Sequence, residues 1–304
     1  PIDEDGGVTF DAGLDEDAGI DAGFDAGPPE RVRMATFNVR LFFDTVCQSG
    51  NCSAAGFEEV RSQTQFDARA LQVANAVNGF GADMVALEEI ENQTCLDAII
   101  ARLDGGMPYG VIGEIGTAGS VDVAILSKTP IERVVAHRAL QRLTRPDGSI
   151  TSFSREFLEV EAKTPRGQTM VLFAAHFRSK VNDDPGRRFA EAQVSRRVVE
   201  ARAAASPNAL VVMGGDLNDT PGSPPLGELT ADGGLLRVAA DLPPSEQVTY
   251  IFNGQGEAID HLLLAHTSNG AAVPLSARTW RTSSSGFAGS DHFALTADFE
   301  LRPP

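Results

Sequence analysis

The chain has 304 residues, of which 42% are hydrophobic, and a formal net charge of −17. This length allows one large domain or two small ones with a real core, and no apolar run approaches the ~20 residues needed to span a bilayer. Residues 1–30 hold ten acidic residues and no basic one, so the rest of the chain carries only −7. That moderate charge argues against tight non-specific DNA binding, although it leaves room for a local basic groove.

Residues 1–30 form a low-complexity segment in which the tripeptide Asp-Ala-Gly recurs at positions 11, 17, 21 and 25. Its apolar content is too low to offset the entropy of ordering, and its like charges repel one another. We therefore expect a disordered acidic linker over 1–30 and the folded domain over 31–304. A calcium-binding repeat is the alternative, but the spacing of the tripeptides is irregular.

Acidic Ala/Gly linkers of this kind resemble those that join a bacterial secretion or lipoprotein signal to its domain. The chain also begins at Pro1 without a methionine. We therefore expect a protein that is secreted or anchored to the cell envelope, with the linker following a removed signal.

The hydrophobic periodicity of residues 31–304 predicts more strands than helices. In chain order it predicts a strand over 31–39, a helix over 66–80, a strand over 83–92, a helix over about 94–103, strands over 121–126, 157–162 and 169–175, a helix over 187–205, and strands over 209–213, about 248–252, 258–265 and 293–301. This pattern favours a layered α/β domain in which two sheets pack together and the helices lie outside.

The chain contains three cysteines. Cys47 and Cys52 lie five residues apart in a small polar loop, and in an oxidising compartment they could close a short disulfide loop. The alternative is that they are free thiols, because the sequence does not give their geometry. Cys95 is expected to be buried at a helix start, and no zinc-type cysteine spacing occurs.

The stretch GGDLND at 214–219 follows the apolar run ALVVM and precedes a Pro-Gly pair. Asp216 and Asn218 therefore lie at the carboxyl end of a buried strand, where open α/β sheets place their ligands. A carboxylate at such a place is costly unless it is paired or bound to a metal.

Polar groups at strand ends recur along the chain, which predicts that they converge on one cleft. They are Asn38, Glu88 and Glu89, His176, Asp216 and Asn218, Asp260 and His261, and Asp291 and His292. Oxygen ligands combined with imidazoles favour a hard cation such as Mg²⁺, with Mn²⁺ as a substitute and Ca²⁺ in a structural role, and acid–base catalysis by histidine.

This ordered set of motifs resembles the endonuclease/exonuclease/phosphatase superfamily, which includes deoxyribonuclease I, apurinic endonucleases, bacterial sphingomyelinases and inositol-polyphosphate phosphatases. The motifs are Phe-Asn at 37–38, ALEEIEN at 86–92, AAHFRSK at 174–180, GGDLND at 214–219, IDHLLL at 259–264 and SDHFAL at 290–295. The resemblance spans 31–301 and implies a catalytic domain built as a four-layer α-β-β-α sandwich, with two packed mixed sheets and helices outside. FFDTVC, EIEN and SVDVAIL further resemble secreted bacterial nuclease-like members.

The resemblance also implies a role for each matching residue. It assigns metal binding to Asn38, Glu89 and Asp291, catalysis to His176, Asp216, Asn218, Asp260 and His292, and phosphate binding to Arg155 and Arg178. Within the catalytic group, Asp260 would pair with His292 and His176 would contact the scissile phosphate. Either Asp216 or His292 is then the general base, and the sequence leaves that choice open.

Several other polar residues have plainer interpretations. Glu88 stands where the family usually has Gln, and we interpret it as a solvated strand end, although it would otherwise add charge near the metal. We expect His261 to be structural, His137 and His266 to be surface or turn residues, and Asp219 to form a turn.

Basic residues cluster beside the His176 motif at Arg178, Lys180, Arg187 and Arg188. This cluster is either a patch that follows a phosphate backbone or a solvated helix start.

The resulting hypothesis is a secreted, Mg²⁺-dependent phosphodiesterase that hydrolyses nucleic acid, DNA in preference to RNA, by in-line attack of water. A phospholipase C- or sphingomyelinase-type enzyme, or a phosphomonoesterase, is the alternative, because the same core serves both. The sequence shows no long aromatic loop that could insert into a membrane, and Trp280 is the only tryptophan. A non-catalytic scaffold would have lost motif residues, which are all present. No stable protein partner is implied, and we expect a monomer.

Overall fold

The computed structural model describes residues 27–282 and 285–303. Its strands are, in chain order, β1 (Glu30–Phe42), β2 (Met84–Ile90), β3 (Tyr109–Gly113), β4 (Asp122–Ser127), β5 (Ile131–Ala136), β6 (Leu143–Thr144), β7 (Ile150–Thr151), β8 (Leu158–Lys163), β9 (Thr169–His176), β10 (Leu210–Asp216), β11 (Leu236–Arg237), β12 (Tyr250–Phe252), β13 (Gln255–Glu257), β14 (Asp260–Leu264), β15 (Gly270–Ala272), β16 (Arg278–Trp280) and β17 (Ala294–Leu301).

The helices are α1 (Gln63–Phe80), α2 (Gln93–Ile100), α3 (Pro185–Ala205) and α4 (Pro224–Thr230), with short 3₁₀ turns at Ala231–Gly233, Val238–Asp241 and Pro244–Glu246. Helix α1 begins three residues before the predicted start because its first turn is polar. Its start is fixed by a capping box in which Ser62 and Gln65 satisfy each other's backbone N–H groups.

The strands form two main sheets. Sheet A has seven strands in the order β15-β17-β1-β2-β4-β3, with β16 also paired to β17, and sheet B has six in the order β11-β14-β10-β9-β8-β5. In each sheet one central pair is parallel, β1 with β2 and β9 with β10. The neighbours β17 and β14 run antiparallel to these pairs. The carboxyl ends of the parallel strands therefore lie beside the starts of β14 and β17.

Three apolar clusters separate four layers. One cluster lies between the two sheets. A second packs sheet A against α1 and α2, and a third packs sheet B against α3 and α4. This confirms the predicted four-layer α-β-β-α sandwich with two mixed sheets and outer helices.

The main strands and helices match the predicted segments, whereas α4 and the strands β3, β5, β6, β7, β11, β13, β15 and β16 were missed. The strand β5 is an exposed edge strand of mixed polarity, and α4 has only seven residues. Glu30, the last residue of the predicted linker, is already part of β1 and pairs with Leu301. Residues 1–26 of that linker lie outside the described residues.

Two polar residues with plain interpretations are more buried than expected. His137 opens a turn, as predicted, but its side chain is buried and lies 2.8 Å from Glu159. Asp219 is buried and accepts a hydrogen bond from Arg188 rather than simply forming a turn. Both side chains have polar partners from other parts of the chain, which local sequence patterns do not reveal.

His261 and Cys95 are both buried, as predicted, and His266 is exposed. Cys47 and Cys52 form a disulfide. Among residues 27–282 and 285–303, no helix is long and apolar enough to cross a membrane.

Candidate active site

The candidate active site lies where the layer between the sheets changes from apolar to polar. Side chains alternate between the two faces of a strand, so every second residue of the central strands faces this layer. Along β10 these residues are Leu210, Val212, Gly214 and Asp216, and β9 similarly ends in His176. The alternation that builds the core therefore carries polar side chains into its last positions.

Strand pairing brings these terminal residues side by side. Asp216 is opposite His176 on β9 and opposite Asp260 on β14. In sheet A, Asn38 is opposite Glu88. The two sheets thus deliver polar groups to the same end of the layer between them.

Backbone irregularities aim two of these groups. Glu89 has a φ of 66°, and the pairing of β2 with β4 shifts register between Glu88 and Ile90. A bulge of this kind interrupts the strict alternation of side chains. At Gly215, φ is 151°, and a Cβ atom would lie 1.8 Å from the carbonyl oxygen of Ala175. Only glycine therefore permits the close strand approach beside Asp216.

Asn38 joins two carboxylates that come from different sheets. Its Nδ2 atom donates to Glu89 Oε1 at 3.2 Å and to Asp216 Oδ2 at 3.1 Å. Its Oδ1 atom accepts from the backbone N–H of Arg40 at 2.9 Å, which fixes the orientation of the amide. Glu89 also accepts from the N–H of Leu41 at 2.7 Å.

Asp260 and His292 form a buried pair. Nδ1 of His292 lies 2.9 Å from Asp260 Oδ2, while the Thr249 hydroxyl accepts the backbone N–H of Asp260. Burial alone would lower the pKa of His292, but the charge and hydrogen bond of Asp260, with the charges of Asp216 and Asp291, raise it to about 10. His292 is therefore protonated near neutral pH.

Asp216 and His176 are shifted in ways that match their surroundings. Burial and the charge of Asp260 raise the pKa of Asp216 to about 7. Burial, Arg155 and His292 hold the pKa of His176 well below its usual range, so its imidazole is neutral. His176 Nε2 lies 3.6 Å from Asp216 Oδ2, and its buried Nδ1 has no hydrogen-bond partner among the described residues.

Glu88 was interpreted as a solvated strand end, and this was wrong. Its side chain is fully buried between the sheets, where Thr36 donates a hydrogen bond to it at 2.9 Å. Burial, together with the charges of Asp260 and Asp216, raises the pKa of Glu88 well above its usual value. The strand alternation places Glu88 in the layer between the sheets, with no route to solvent.

These groups open into one cleft of about 840 Å³. It is lined by nearly all of the predicted site residues, namely Glu89, Arg155, His176, Arg178, Asp216, Asn218, Asp291 and His292. Asn38 and Asp260 lie just behind its wall through their bonds to Asp216 and His292. All ten predicted site residues are therefore brought together.

Only part of the predicted basic cluster faces this cleft. Arg178 and Lys180 line it, whereas Arg188 is buried and ion-paired with Asp183 and Asp219. Arg187 lies by Glu191 and donates to the Ser152 carbonyl. The four residues therefore form neither a continuous patch nor a solvated helix start.

Arg155 is the main phosphate-binding candidate from the other side of the cleft. It is largely buried, and burial lowers the pKa of its guanidinium. Its Nε–H has no hydrogen-bond partner among the described residues, while Nη1 donates to the Ser154 carbonyl. A largely buried guanidinium that lines the cleft wall is suited to an anionic ligand.

The oxygen atoms of the site suit a divalent cation. Glu89 and Asp216 converge on one Asn38 amide, and the charge of Glu89 contributes to the raised pKa of Asp216. Asp291 lies on the same cleft, 3.5 Å from Arg40. Crowded carboxylates without thiolate ligands are the donor set that hard cations prefer.

A second carboxylate group is less suited to a metal ion. Asp216, Asp260 and His292 bring ligand atoms within 4.8 Å of one another. His292 is protonated near neutral pH, because its pKa is raised to about 10, and would repel a cation there. We therefore favour Glu89, Asn38 and Asp291 as the metal ligands.

Three contributors were missed from the sequence. The Tyr250 ring packs against His292 with a centroid distance of 4.9 Å. Ser290 donates to the Asn38 carbonyl and accepts the His292 backbone N–H, which ties the segment before β17 to β1. Arg40 contacts Asp291. Ser290 opens the SDHFAL motif and could have been named, whereas Tyr250 and Arg40 carry no local signal.

A family model described as the Endonuclease/Exonuclease/phosphatase family matches residues 35–292. The chain belongs to this family, whose members are metal-dependent phosphoric ester hydrolases. No curated protein matches the chain.

Solved structures show the same fold at low sequence identity. A truncated TDP2 from Caenorhabditis elegans is 19% identical with a TM-score of 0.62, covering 89% of this chain and 98% of that one. TDP2 from D. rerio complexed with a single strand DNA product is 15% identical with a TM-score of 0.59, covering 89% and 99%. An endonuclease/exonuclease/phosphatase from Bacteroides vulgatus is 16% identical with a TM-score of 0.60, covering 90% and 99%.

Proposed function

We propose that the protein is a Mg²⁺-dependent phosphodiesterase that hydrolyses nucleic acid, DNA in preference to RNA, by in-line attack of water. The observation that carries this proposal is the single cleft in which acidic, imidazole and guanidinium groups meet. A phosphodiester is anionic and repels nucleophiles, so its hydrolysis needs cationic groups around the phosphate and a base beside the water.

Asn38, Glu89 and Asp291 are the residues that would hold the metal ion. Mg²⁺ suits these oxygen ligands, and Mn²⁺ accepts the same set. When bound, the ion offsets negative charge on the phosphoryl oxygens. Asn38 matters twice, because its amide also holds Asp216 in place.

We assign the general base to Asp216 rather than to His292. A pKa raised to about 7 keeps the Asp216 carboxylate available and basic near neutral pH. The backbone N–H of Asn218 donates to Asp216 Oδ1 at 2.9 Å and orients it. His292, held protonated by Asp260, would donate a proton or a hydrogen bond to a phosphate oxygen.

His176 would act as a neutral hydrogen-bond donor to the phosphate. Its lowered pKa makes it a poor proton donor in the free protein, so leaving-group protonation is better assigned to His292. Arg155 and Arg178 would bind the remaining phosphate charge from the cleft wall.

Nucleic acid is favoured as the substrate by the cations that line the cleft and by a structural relative. Arg155, Arg178 and Lys180 face it together, and the D. rerio TDP2 structure holds a single strand DNA product. A phospholipid or a small phosphoester remains the alternative substrate for the same chemistry.

We also propose that the protein acts as a monomer outside the cytoplasm, secreted or anchored to the bacterial cell envelope. The Cys47–Cys52 disulfide supports this location, because disulfides persist in oxidising compartments. Mass spectrometry of unreduced peptides from exported protein tests the disulfide, and two free thiols there would contradict it.

The function is tested with supercoiled plasmid, sphingomyelin vesicles and a small phosphomonoester, each with Mg²⁺ or EDTA. We expect plasmid nicking that requires Mg²⁺ and is reduced at least ~10-fold in Glu89→Gln, because a metal-binding charge is lost. Glu246→Gln, which removes an exposed carboxylate outside the cleft, is the matched control and should retain full activity. Hydrolysis of the lipid or the monoester without nicking of the plasmid would contradict the nuclease proposal.

A further inference from the structure

Three apolar side chains are exposed at the mouth of the active-site cleft. Phe57 is 56% exposed, Phe252 is 54% exposed and Val181 is 73% exposed. All three line the cleft, yet each comes from a different segment of the chain. Single exposed apolar residues are common on protein surfaces, but three around one catalytic cleft form a shared feature.

Phe57 is held in place by a buried ring and by hydrogen bonds within its loop. Its ring packs edge to face against the fully buried Phe43, with centroids 5.7 Å apart. The loop that carries it is closed by the Cys47–Cys52 disulfide, and buried Glu58 accepts the backbone N–H groups of two loop residues. One face of Phe57 is therefore presented to solvent by a fixed loop.

Phe252 is held by a hairpin. The strands β12 and β13 pair from Tyr250 with Glu257 to Phe252 with Gln255. Tyr250 also bridges to His292, which anchors the hairpin to the catalytic end of sheet A. Phe252 is thus fixed relative to the catalytic residues, although nothing covers its ring.

The same cleft is also lined by cations, namely Arg155, Arg178 and Lys180. The Lys180 ammonium is half exposed, and its distances to Asp219 and Glu257 are long, 3.9 and 3.6 Å. A groove that combines cations with exposed aromatic rings is the arrangement that binds single-stranded nucleic acid.

We propose that the cleft takes a single nucleic-acid strand whose bases stack on Phe57 and Phe252 while its phosphates contact Arg155, Arg178 and Lys180. This inference rests on the proposed phosphodiesterase function and adds the form of the substrate. A duplex should bind more weakly than a single strand while still being cleaved, because its base faces are already stacked inside the helix and cannot stack on the exposed rings.

A lipid surface fits the rim less well. The tip of the β12–β13 hairpin is the polar pair Asn253–Gly254, whereas insertion into a bilayer needs apolar residues at the tip. The cleft that the three apolar residues line is also lined by the cations Arg155, Arg178 and Lys180, so it is not a purely apolar surface.

The test compares steady-state cleavage of a short single-stranded oligodeoxynucleotide, its perfect duplex, and the same strand with abasic sites around the cleaved bond. We expect the wild type to have its lowest KM for the intact single strand. Phe57→Ala and Phe252→Ala should each raise that KM about fivefold or more, the effect of one lost base stack. The value of kcat should not change, because stacking far from the phosphate binds substrate and transition state alike.

Controls separate stacking from other effects. Phe252→Leu keeps apolar area without an aromatic face, so it should raise KM nearly as much as Phe252→Ala. Leu140→Ala removes an exposed apolar side chain outside the cleft and should leave KM unchanged. On the abasic strand, neither Phe57→Ala nor Phe252→Ala should alter KM. Thermal unfolding of each variant checks that the fold is intact.

The outcomes distinguish the two levels of the proposal. Equal KM for single strand and duplex, or phenylalanine variants with unchanged KM, would reject the single-strand inference while leaving the phosphodiesterase function in place. An effect that persists on the abasic strand would reject stacking. If the wild type cleaves no nucleic acid but hydrolyses sphingomyelin vesicles, the proposed function falls and the inference falls with it.

Discussion

The two ends of strand β10 face the same layer between the sheets, but they differ in polarity and in their effect on stability. Leu210 at its start and Asp216 at its end are both buried. Leu210 lies in the apolar cluster between the sheets. Asp216 faces Asp260, and burial with that charge raises its pKa to about 7. The apolar end of the layer stabilises the fold, whereas the polar end holds groups that oppose it and supply the chemistry.

Asp260→Asn is expected to give a large loss of activity at the polar end. Without the Asp260 charge, the pKa of His292 should fall from about 10 toward or below its usual value. His292 would then be neutral at pH 8, and plasmid nicking should drop by about 10²-fold or more. An NMR titration of His292 measures the pKa directly.

The same pair fixes a pH dependence of stability. The pKa of His292 is higher in the folded protein than the ordinary 6.5 of an unfolded histidine. Its contribution to stability is therefore complete below pH ~6.5 and is lost as the pH rises through about 10. Denaturant unfolding should show this loss in the wild type and a weaker one in Asp260→Asn. Identical pH profiles would contradict the assignment of the pair.

How much of this could be predicted from the sequence differs between the two ends of the layer. The buried strands and long helices follow from apolar periodicity, and the motifs locate the polar strand ends. Glu88 was misassigned, because the sequence does not show that the second sheet covers the face of β2 that Glu88 shares with Met84 and Ala86. Arg188 was misassigned because Asp219, its partner, is distant in sequence.

The cleft mouth was predicted only in part. The strand expected over about 248–252 is confirmed as β12, which carries Phe252, whereas its three-residue partner β13 was missed. Tyr250 reaches His292 through a tertiary bridge, which no periodicity encodes. The ordered motifs therefore predict which residues form the chemical centre, whereas the rim that contacts the rest of a substrate depends on tertiary packing.

Leu210→Ala tests the apolar end. Removing a fully buried leucine should lower the free energy of unfolding by about 2–5 kcal/mol, through lost burial and the cavity left behind. The value of kcat per folded molecule should stay unchanged, because Leu210 lies at the opposite end of β10 from Asp216. Urea unfolding and plasmid nicking below the melting temperature measure the two quantities. A lower kcat at unchanged stability would contradict the assignment of stability to the apolar end of β10 and of catalysis to its polar end.

Glu88→Gln should have the smallest effect on activity. The raised pKa means that Glu88 keeps its proton in the folded protein, and glutamine has nearly the same shape. The wild type must take up this proton on folding once the pH exceeds the ordinary glutamate pKa of about 4.5. The variant should therefore gain stability over the wild type by up to ~1.4 kcal/mol per pH unit above that point. A difference independent of pH would show that Glu88 is ionised.

Asp216→Asn tests the central claim most directly, because Asp216 is a buried carboxylate that opposes folding when it is ionised and is also the assigned general base. In metal-free buffer we predict that the variant becomes more stable than the wild type as the pH rises from about 4 to about 7, since the wild-type carboxyl resists ionisation in this range. In Mg²⁺ at neutral pH, plasmid nicking by the same variant should fall by about 10²–10⁴-fold. A variant that gains no stability and still nicks plasmid would contradict the account.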